Sequence, residues 1–101
     1  MNATLPTLNL IGAGRVGQTL ARLWTQAGVF VVQDVLTTSM ASAQGACDFI
    51  GAGTPAPSLG AMRSADLWLI AITDAQIATA SVVRRYGEPC GLHVLVMNAV
   101  G

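Results

Sequence analysis

Three glycines, Gly12, Gly14 and Gly17, constrain this chain more than any other feature of its sequence. They follow the apolar run Leu8–Ile11 and precede a segment with helical spacing, which predicts a strand, a tight turn and a helix. In a dinucleotide-binding turn, the first glycine permits the turn, the second lets a pyrophosphate approach, and the third lets helix and sheet pack closely. A strand–helix turn that needs glycine only for its backbone geometry would show the same residues, so that alternative stays open.

The whole turn is predicted to bind the pyrophosphate of a dinucleotide. The free N–H groups and the positive dipole end of the helix would face the phosphates. Arg15 either adds a positive charge beside them or is a solvated arginine at a helix start, and the sequence leaves both possibilities open. The predicted binding residues of the turn are Gly12, Ala13, Gly14, Arg15, Val16 and Gly17.

Strand-like and helix-like segments alternate along the rest of the chain. Five segments are predicted as strands: 7–11, 29–36, 49–50, 67–72 and 92–97. Helices are predicted from Arg15 to the helix-ending Gly28, over 40–46 with Ser39 as N-cap, and after Asp74, with a loop at 51–57. This pattern predicts an α/β fold, a Rossmann-like three-layer sandwich whose parallel sheet has about five strands in the order 3-2-1-4-5. Residues 1–101 are expected to form a single dinucleotide-binding domain.

The composition argues against several classes of partner. Only 10% of the 101 residues are charged, 52% are hydrophobic, and the formal net charge is zero. Such a chain lacks the basic surface patch through which proteins bind nucleic acids or anionic membranes. Its longest apolar run, Leu67–Ile72, is far shorter than the ~20 residues of a membrane span, and no signal peptide is evident. The shortage of charge indicates that another subunit of a homodimer, or a further part of the chain, covers some of the surface.

The cysteine and histidine content predicts no metal site. Cys47 and Cys90 are far apart and have no motif spacing, so we expect reduced, small apolar residues of a cytoplasmic protein. His93, the single histidine, opens the predicted last strand and is expected to be structural. No proton donor, nucleophile or metal cluster can be assembled, so the catalytic residues stay unknown.

The end of the second predicted strand bears on the choice of cofactor. Sites that prefer NAD have an acidic side chain about twenty residues past the last glycine, where it binds the adenine ribose. Here that position is Thr37, followed by Thr38 and Ser39. Three hydroxyls without a carboxylate suit a 2′-phosphate, so NADP is expected. NAD is the alternative if Asp34 proves to lie at the strand tip.

Residues that follow the fourth predicted strand are expected to complete the crevice, which lies at the carboxyl ends of the strands. Ile72, Thr73 and Asp74 fall on that rim. For Asp74, capping of the following helix is the favoured role and a ligand contact is the alternative. Ile77 lies off the packing stripe of that helix and is predicted to line the pocket, the alternative being ordinary partial exposure.

Taken together, Leu8–Gly17, Thr37–Ser39, Ser42–Ala43, Ala65–Leu67 and Asp74–Ile77 resemble the Rossmann-like half of a group of oxidoreductases that carry a second, helical domain of unknown function. This group is similar to 6-phosphogluconate dehydrogenase, ketopantoate reductase, pyrroline-5-carboxylate reductase and the deazaflavin-dependent NADP oxidoreductases. The resemblance covers nearly the whole chain and is sharpest in the glycine motif.

The resemblance implies an NADP-dependent oxidoreductase of which this chain is the cofactor domain, isolated or truncated. In that superfamily the turn after the second strand often reads Asn-Arg-Ser or Asn-Arg-Thr and grips the NADP phosphate, whereas Thr37–Ser39 lacks the arginine. The turn after the fourth strand often reads Val-Pro-Asp, and Ile72–Asp74 departs from it at the proline. The helical domain of such relatives supplies catalytic groups and dimer contacts, so neither substrate nor catalytic residues are expected in this chain.

Two other readings of the same residues stay open. One is a nucleotide-sensing module that binds NAD(H) or a similar ligand and reports it by a change of association. The other is a Rossmann shell that has lost its ligand. The sequence names no substrate in any of the three cases.

Overall fold

The computed structural model of the chain describes residues 5–12, 15–72, 80–84 and 93–96, the last four through their backbone. The strands are β1 (Thr7–Ile11), β2 (Val31–Leu36), β3 (Thr54–Pro55), β4 (Leu67–Ile70) and β5 (His93–Val96). The helices are α1 (Arg15–Ala27) and α2 (Met40–Ile50), followed by a 3₁₀ turn at Leu59–Ala61. Residues 80–84 are also helical.

All five strands join one parallel sheet in the order β3-β2-β1-β4-β5. This confirms the predicted α/β fold and its strand order. The first strand lies in the middle, between β2 and β4, because the chain crosses over twice on one side and then moves to the other. The carboxyl ends of β1, β2 and β4 therefore meet at one edge of the sheet.

The two faces of the sheet carry separate apolar cores. Alternation along β4 divides them: Leu69 packs into the first core, whereas Trp68 and Ile70 pack into the second. Helices α1 and α2 cover the first face through Ala21, Ala46, Cys47 and Ile50. Met62 and Val82, from the segment after the 3₁₀ turn and from the helical residues 80–84, cover the second. This arrangement is the predicted three-layer sandwich.

One predicted strand is wrong. Phe49 and Ile50 end α2 instead of forming the third strand. The buried residues of α2 recur at helical spacing, and they are Ala43, Ala46, Cys47 and Ile50. The helix continues until Gly51 ends it with φ 85°. The third strand is the two-residue β3, inside the segment that was predicted to be a loop.

Capping residues determine where several of the other elements begin or end. Gly28 has φ 70° after α1, and Val29 N–H donates to the carbonyl of Trp24, so β2 begins at Val31 and not at Val29. The Ser39 hydroxyl accepts from the N–H of Ser42 at 3.1 Å, which confirms its predicted role as N-cap of α2. Strand β4 ends at Ile70, two residues before the predicted end.

A β-bulge in β2 is filled by a fully buried amide side chain. Leu8 pairs with Val32 and Leu10 with Val35, so two residues of β2 lie opposite Asn9. The Asn9 Oδ1 atom accepts from the N–H of Asp34 at 3.1 Å and from Gln33 Nε2 at 3.2 Å. Asn9 thereby supplies the acceptor for a buried N–H of the bulge.

The Asp34 carboxylate of the bulge binds Arg63. It accepts from Arg63 Nη2 at 2.9 Å, from Arg63 Nε at 3.3 Å and from the Arg63 backbone N–H at 2.7 Å. The side chain of Asp34 is 5% exposed and that of Arg63 is 64% exposed. Burial by itself would raise the pKa of the Asp34 carboxyl, but the hydrogen bonds and charge of Arg63 outweigh it and hold the pKa below its ordinary value.

Cys47 is a free thiol that is buried, whereas Cys90 lies outside the described residues. Across 5–12, 15–72, 80–84 and 93–96, no group of three or more histidine, cysteine or acidic residues could hold a metal ion. In the same ranges, no helix combines the length and the apolar character that crossing a membrane requires.

Replacement of Asn9 tests the role of the buried amide. We expect Asn9→Leu to lower the free energy of unfolding by about 1–3 kcal/mol, because the Asp34 N–H would lose its buried acceptor. Urea unfolding of the two proteins measures the difference. Thr19→Ala, on the exposed side of α1, is the control and should change stability by less than about 0.5 kcal/mol. Equal stability of Asn9→Leu and the wild type would contradict the assignment.

The Asp34–Arg63 pair predicts a dependence of stability on pH. Because folding lowers the pKa of Asp34, its ionised form stabilises the fold above the unfolded value of about 3.9. That stabilisation is lost as pH falls from there through the lower pKa of the folded state. We expect the free energy of unfolding to fall more steeply below about pH 4 in the wild type than in Asp34→Asn. Urea unfolding over a pH series gives both slopes, and parallel curves would refute the pair's contribution.

Candidate functional site

A cleft of about 440 Å³ opens at the carboxyl ends of β1, β2 and β4. This edge is where the strand order reverses direction around β1, the place at which open α/β sheets bind ligands. Strand ends and the start of α2 build its walls. The lining residues are Ile11, Gly12, Leu36, Thr37, Thr38, Ser42, Ala71 and Ile72.

Gly12 forms the floor of the cleft and tolerates no side chain. It is buried, has φ 86°, and its N–H donates to the carbonyl of Leu36 at 2.7 Å. A Cβ atom there would lie 2.2 Å from Ile72 Cγ2 and 2.6 Å from the carbonyl oxygen of Ala71. The end of β1 is therefore packed directly against both neighbouring strands, as the tight-turn role of this glycine predicts.

Gly17 allows α1 to lie close to the sheet. A Cβ atom at this buried position would be 3.1 Å from the Cβ of Ala71 and 3.5 Å from Leu10 Cδ1. The first distance is tighter than ordinary side-chain contact, so the small residues on both sides set the distance between helix and strand. Helix α1 begins at Arg15, three residues after Gly12 in the chain.

The end of β2 contributes hydroxyl groups. Thr37 Oγ1 donates to the carbonyl of Ser39 at 2.8 Å, which closes the turn between β2 and α2. Ser39 caps α2 and does not line the cleft, whereas Thr38 and Ser42 do, and both are exposed. The predicted trio is therefore divided: Thr37 and Thr38 face the cleft, and Ser39 shapes the helix start behind them.

The structure brings four of the predicted site residues together in one cleft: Gly12, Thr37, Thr38 and Ile72. For Arg15 and Val16 it gives the backbone of the first turn of α1. The other predicted positions fall outside the described residues, and they are Ala13, Gly14, Thr73, Asp74 and Ile77.

Sequence reasoning missed the other walls of the cleft. Ile11, Leu36 and Ala71 stand at or just after strand ends, where an apolar residue gives no signal that separates a wall from the core. Ser42 could have been found, because a residue three positions after an N-cap lies in the first turn of its helix.

The lining of the cleft carries no formal charge at any of its eight residues. Asp34, the acid nearest to the end of β2, lies within the strand and is bound to Arg63, so the condition set for NAD is not met. Hydroxyl groups beside apolar walls suit the binding of a polar ligand with flat apolar rings. Among residues 5–12, 15–72, 80–84 and 93–96, no histidine, cysteine or acidic side chain lines the cleft.

A second, shallower cavity of about 380 Å³ lies beside the end of α2 and includes Cys47 and Asp48. Burial, with the negative charges of Asp48 and Asp34, raises the pKa of the Cys47 thiol. The thiol form therefore predominates, and this cysteine is not an activated nucleophile.

This chain is similar in structure to known proteins. No protein-family model and no curated protein matches the sequence. A protein of Bacteroides fragilis assigned as an NADP oxidoreductase superposes with a TM-score of 0.72 at 21% identity, over 92% of this chain and 36% of that one. Lactate dehydrogenase of Eimeria maxima, solved with NADH and oxamate, superposes with a TM-score of 0.60 at 18% identity, over 97% and 37%. The fold is thus Rossmann-type, and the chain spans little more than a third of either neighbour.

Gly12 and Gly28 offer a matched test of the packing at the cleft floor. Both have positive φ, but nothing lies within 4 Å of a Cβ at Gly28. Gly28→Ala should lose about 1–2 kcal/mol of stability through backbone strain alone. Gly12→Ala should lose at least about 1 kcal/mol more, because Ile72 and Ala71 must also move. Thermal or urea unfolding compares the two, and equal losses would contradict the described packing.

Proposed function

We propose that this chain binds a nicotinamide dinucleotide, NADP or NAD, in the cleft at the carboxyl ends of β1, β2 and β4. The observation that supports this most is the floor of the cleft, where Gly12 leaves no room for a side chain between β1 and β4. A turn of this kind brings backbone N–H groups to a pyrophosphate at the start of a helix. Both structural neighbours are oxidoreductases, one named for NADP and the other solved with NADH.

The residues fit the parts of such a cofactor. The turn at residues 12–17 would hold the pyrophosphate, with the start of α1 directed at it. Thr37, Thr38 and Ser42 would receive the adenine ribose and its 2′ substituent, since they line the cleft on the β2 side. Ile72 lines the cleft on the β4 side, and Thr73, Asp74 and Ile77 are proposed to extend that wall.

NADP is the proposed preference. The end of β2 has hydroxyl donors and no carboxylate that would repel a 2′-phosphate. A carboxylate that binds the two ribose hydroxyls is the usual basis of NAD preference, and Asp34 is bound to Arg63 instead.

The proposed role is that of the cofactor domain of an oxidoreductase. A bound nicotinamide would supply hydride transfer, and this chain's residues would hold and orient it. Both structural neighbours are more than twice as long as this chain, which supports a substrate site and catalytic groups outside the described cleft. We propose that a helical domain or a second copy supplies them. A cytoplasmic location stays a prediction.

Nicotinamide fluorescence titration with NADPH and NADH tests the proposal. The wild type should bind at least one of them, and Gly14→Val should weaken binding by at least about 100-fold, because a side chain there would block the pyrophosphate. Gly45→Val is the control: Gly45 lies in α2, a Cβ there meets nothing within 4 Å, and binding should be retained. Circular dichroism of both variants checks that the fold survives.

Three outcomes separate the candidate roles. Binding with turnover, once a substrate domain is joined to the chain, supports the cofactor domain. Binding that changes the size of the assembly without turnover supports a sensing module. Failure of the wild type to bind either nucleotide overturns the proposal and leaves a Rossmann shell without a ligand.

A further inference from the structure

We infer that the cleft discriminates between NADP and NAD only weakly, because the end of β2 presents no fixed charge of either sign. This inference rests on the proposed function, since it concerns how the same site receives the 2′ position of the adenine ribose. We assign to Thr38 and Ser42 the contacts with the 2′ position, at which NADP and NAD differ.

The Asp34 carboxylate is engaged by Arg63. Asp34 is three residues from Thr37, and its side chain accepts three hydrogen bonds from Arg63. With 5% of its side chain exposed, it does not line the cleft. Asn9 binds the backbone N–H of Asp34 within the bulge. The contacts with Arg63 thus keep the carboxylate from the cleft.

No arginine is among the described lining residues of the cleft. Arg63 is engaged by the same carboxylate and, like Asp34, is absent from the cleft lining. Arg15 stands at the start of α1, beside the turn proposed for the pyrophosphate. NADP and NAD share the pyrophosphate. A charge beside it would therefore strengthen the binding of both cofactors equally and would not change the ratio of their dissociation constants. No arginine therefore grips a 2′-phosphate among the described lining residues.

The polar side chains in the described lining are the hydroxyls of Thr37, Thr38 and Ser42. Thr37 uses its hydroxyl proton within its own turn, at 2.8 Å from the Ser39 carbonyl. Thr38 and Ser42 are exposed and line the cleft, so their hydroxyls are placed to meet a ligand. A hydroxyl can donate to a 2′-phosphate and can equally donate to or accept from a 2′-hydroxyl. Both cofactors are accommodated, with a modest advantage for the charged acceptor.

The size of the preference follows from these bonds. The same hydroxyls would bond to a phosphate in NADP and to a ribose hydroxyl in NAD, so the preference reflects only the difference between these two kinds of bond. With the bonds open to solvent, we expect that difference to change affinity by about tenfold or less. We expect NADPH to bind more tightly than NADH, by less than about tenfold. We also expect this ratio to change little with salt, since no side-chain charge at the 2′ position is screened.

Isothermal calorimetry of the wild-type chain with NADPH and with NADH, at low and at physiological ionic strength, tests the inference. Dissociation constants within about tenfold of each other support it. A preference clearly above about tenfold for either cofactor overturns it, even though the proposed function would then stand. Binding of neither would instead refute the proposed function, and the inference with it.

Charged variants of Thr38 locate the 2′ position. Thr38→Arg should raise the NADPH preference by about tenfold or more and make it fall with salt, and Thr38→Asp should reverse it in favour of NADH. Ser58→Arg and Ser58→Asp are the controls, because Ser58 is exposed and lies outside the cleft lining. If the Thr38 and Ser58 variants have the same ratio of NADPH to NADH dissociation constants, Thr38 does not face the 2′ position and the inference is wrong.

Discussion

The close approach of three strands at Gly12 is the constraint from which the site follows. The N–H of Gly12 reaches the carbonyl of Leu36 on β2, and its Cα faces Ala71 and Ile72 after β4. Without a side chain, β1 can end between both neighbours and turn at once into α1. The cleft is the hollow left above that junction, so the same backbone geometry that joins the sheet also forms the floor of the site.

Polar residues of β1 and β2 determine which charges reach the cleft at the end of β2. The bulge places Asp34 where Arg63 can bind it. The Asn9 side chain accepts a hydrogen bond from the backbone N–H of Asp34 in the bulge. These contacts hold the loop before β4 against the sheet. They also engage Asp34, the acid nearest to the end of β2, and the described lining on that side consists of hydroxyl groups and apolar walls. The proposed affinity for a dinucleotide thus depends on backbone donors, and the proposed weak selectivity depends on the neutral end of β2.

Much of this fold could be predicted because its signals are local. The glycine spacing after an apolar strand indicated the turn, and the alternation of strands and helices indicated a parallel sheet in the observed order. The third strand was wrong because Phe49–Ile50 are apolar and β-compatible, while the buried stripe of α2 required them in the helix. Two residues such as Thr54–Pro55 carry no periodic signal at all.

The contacts that set the charge of the site could not be predicted in the same way. Asn9 sits in an apolar run, and nothing in that run shows that it faces a bulge in another strand. Arg63 lies far along the chain from Asp34, and their pairing depends on the crossover between them. Such long-range pairings become visible only when the sheet is assembled.

Amide chemical-shift mapping of the ¹⁵N-labelled chain during titration with NADPH tests the central claim most directly. The account predicts saturable shifts at residues 12–17, at 37–42 and at 71–72, with smaller changes elsewhere. Shifts confined to the cavity beside Cys47 and Asp48, or saturable binding that leaves the amides of residues 12–17 unmoved, would contradict it.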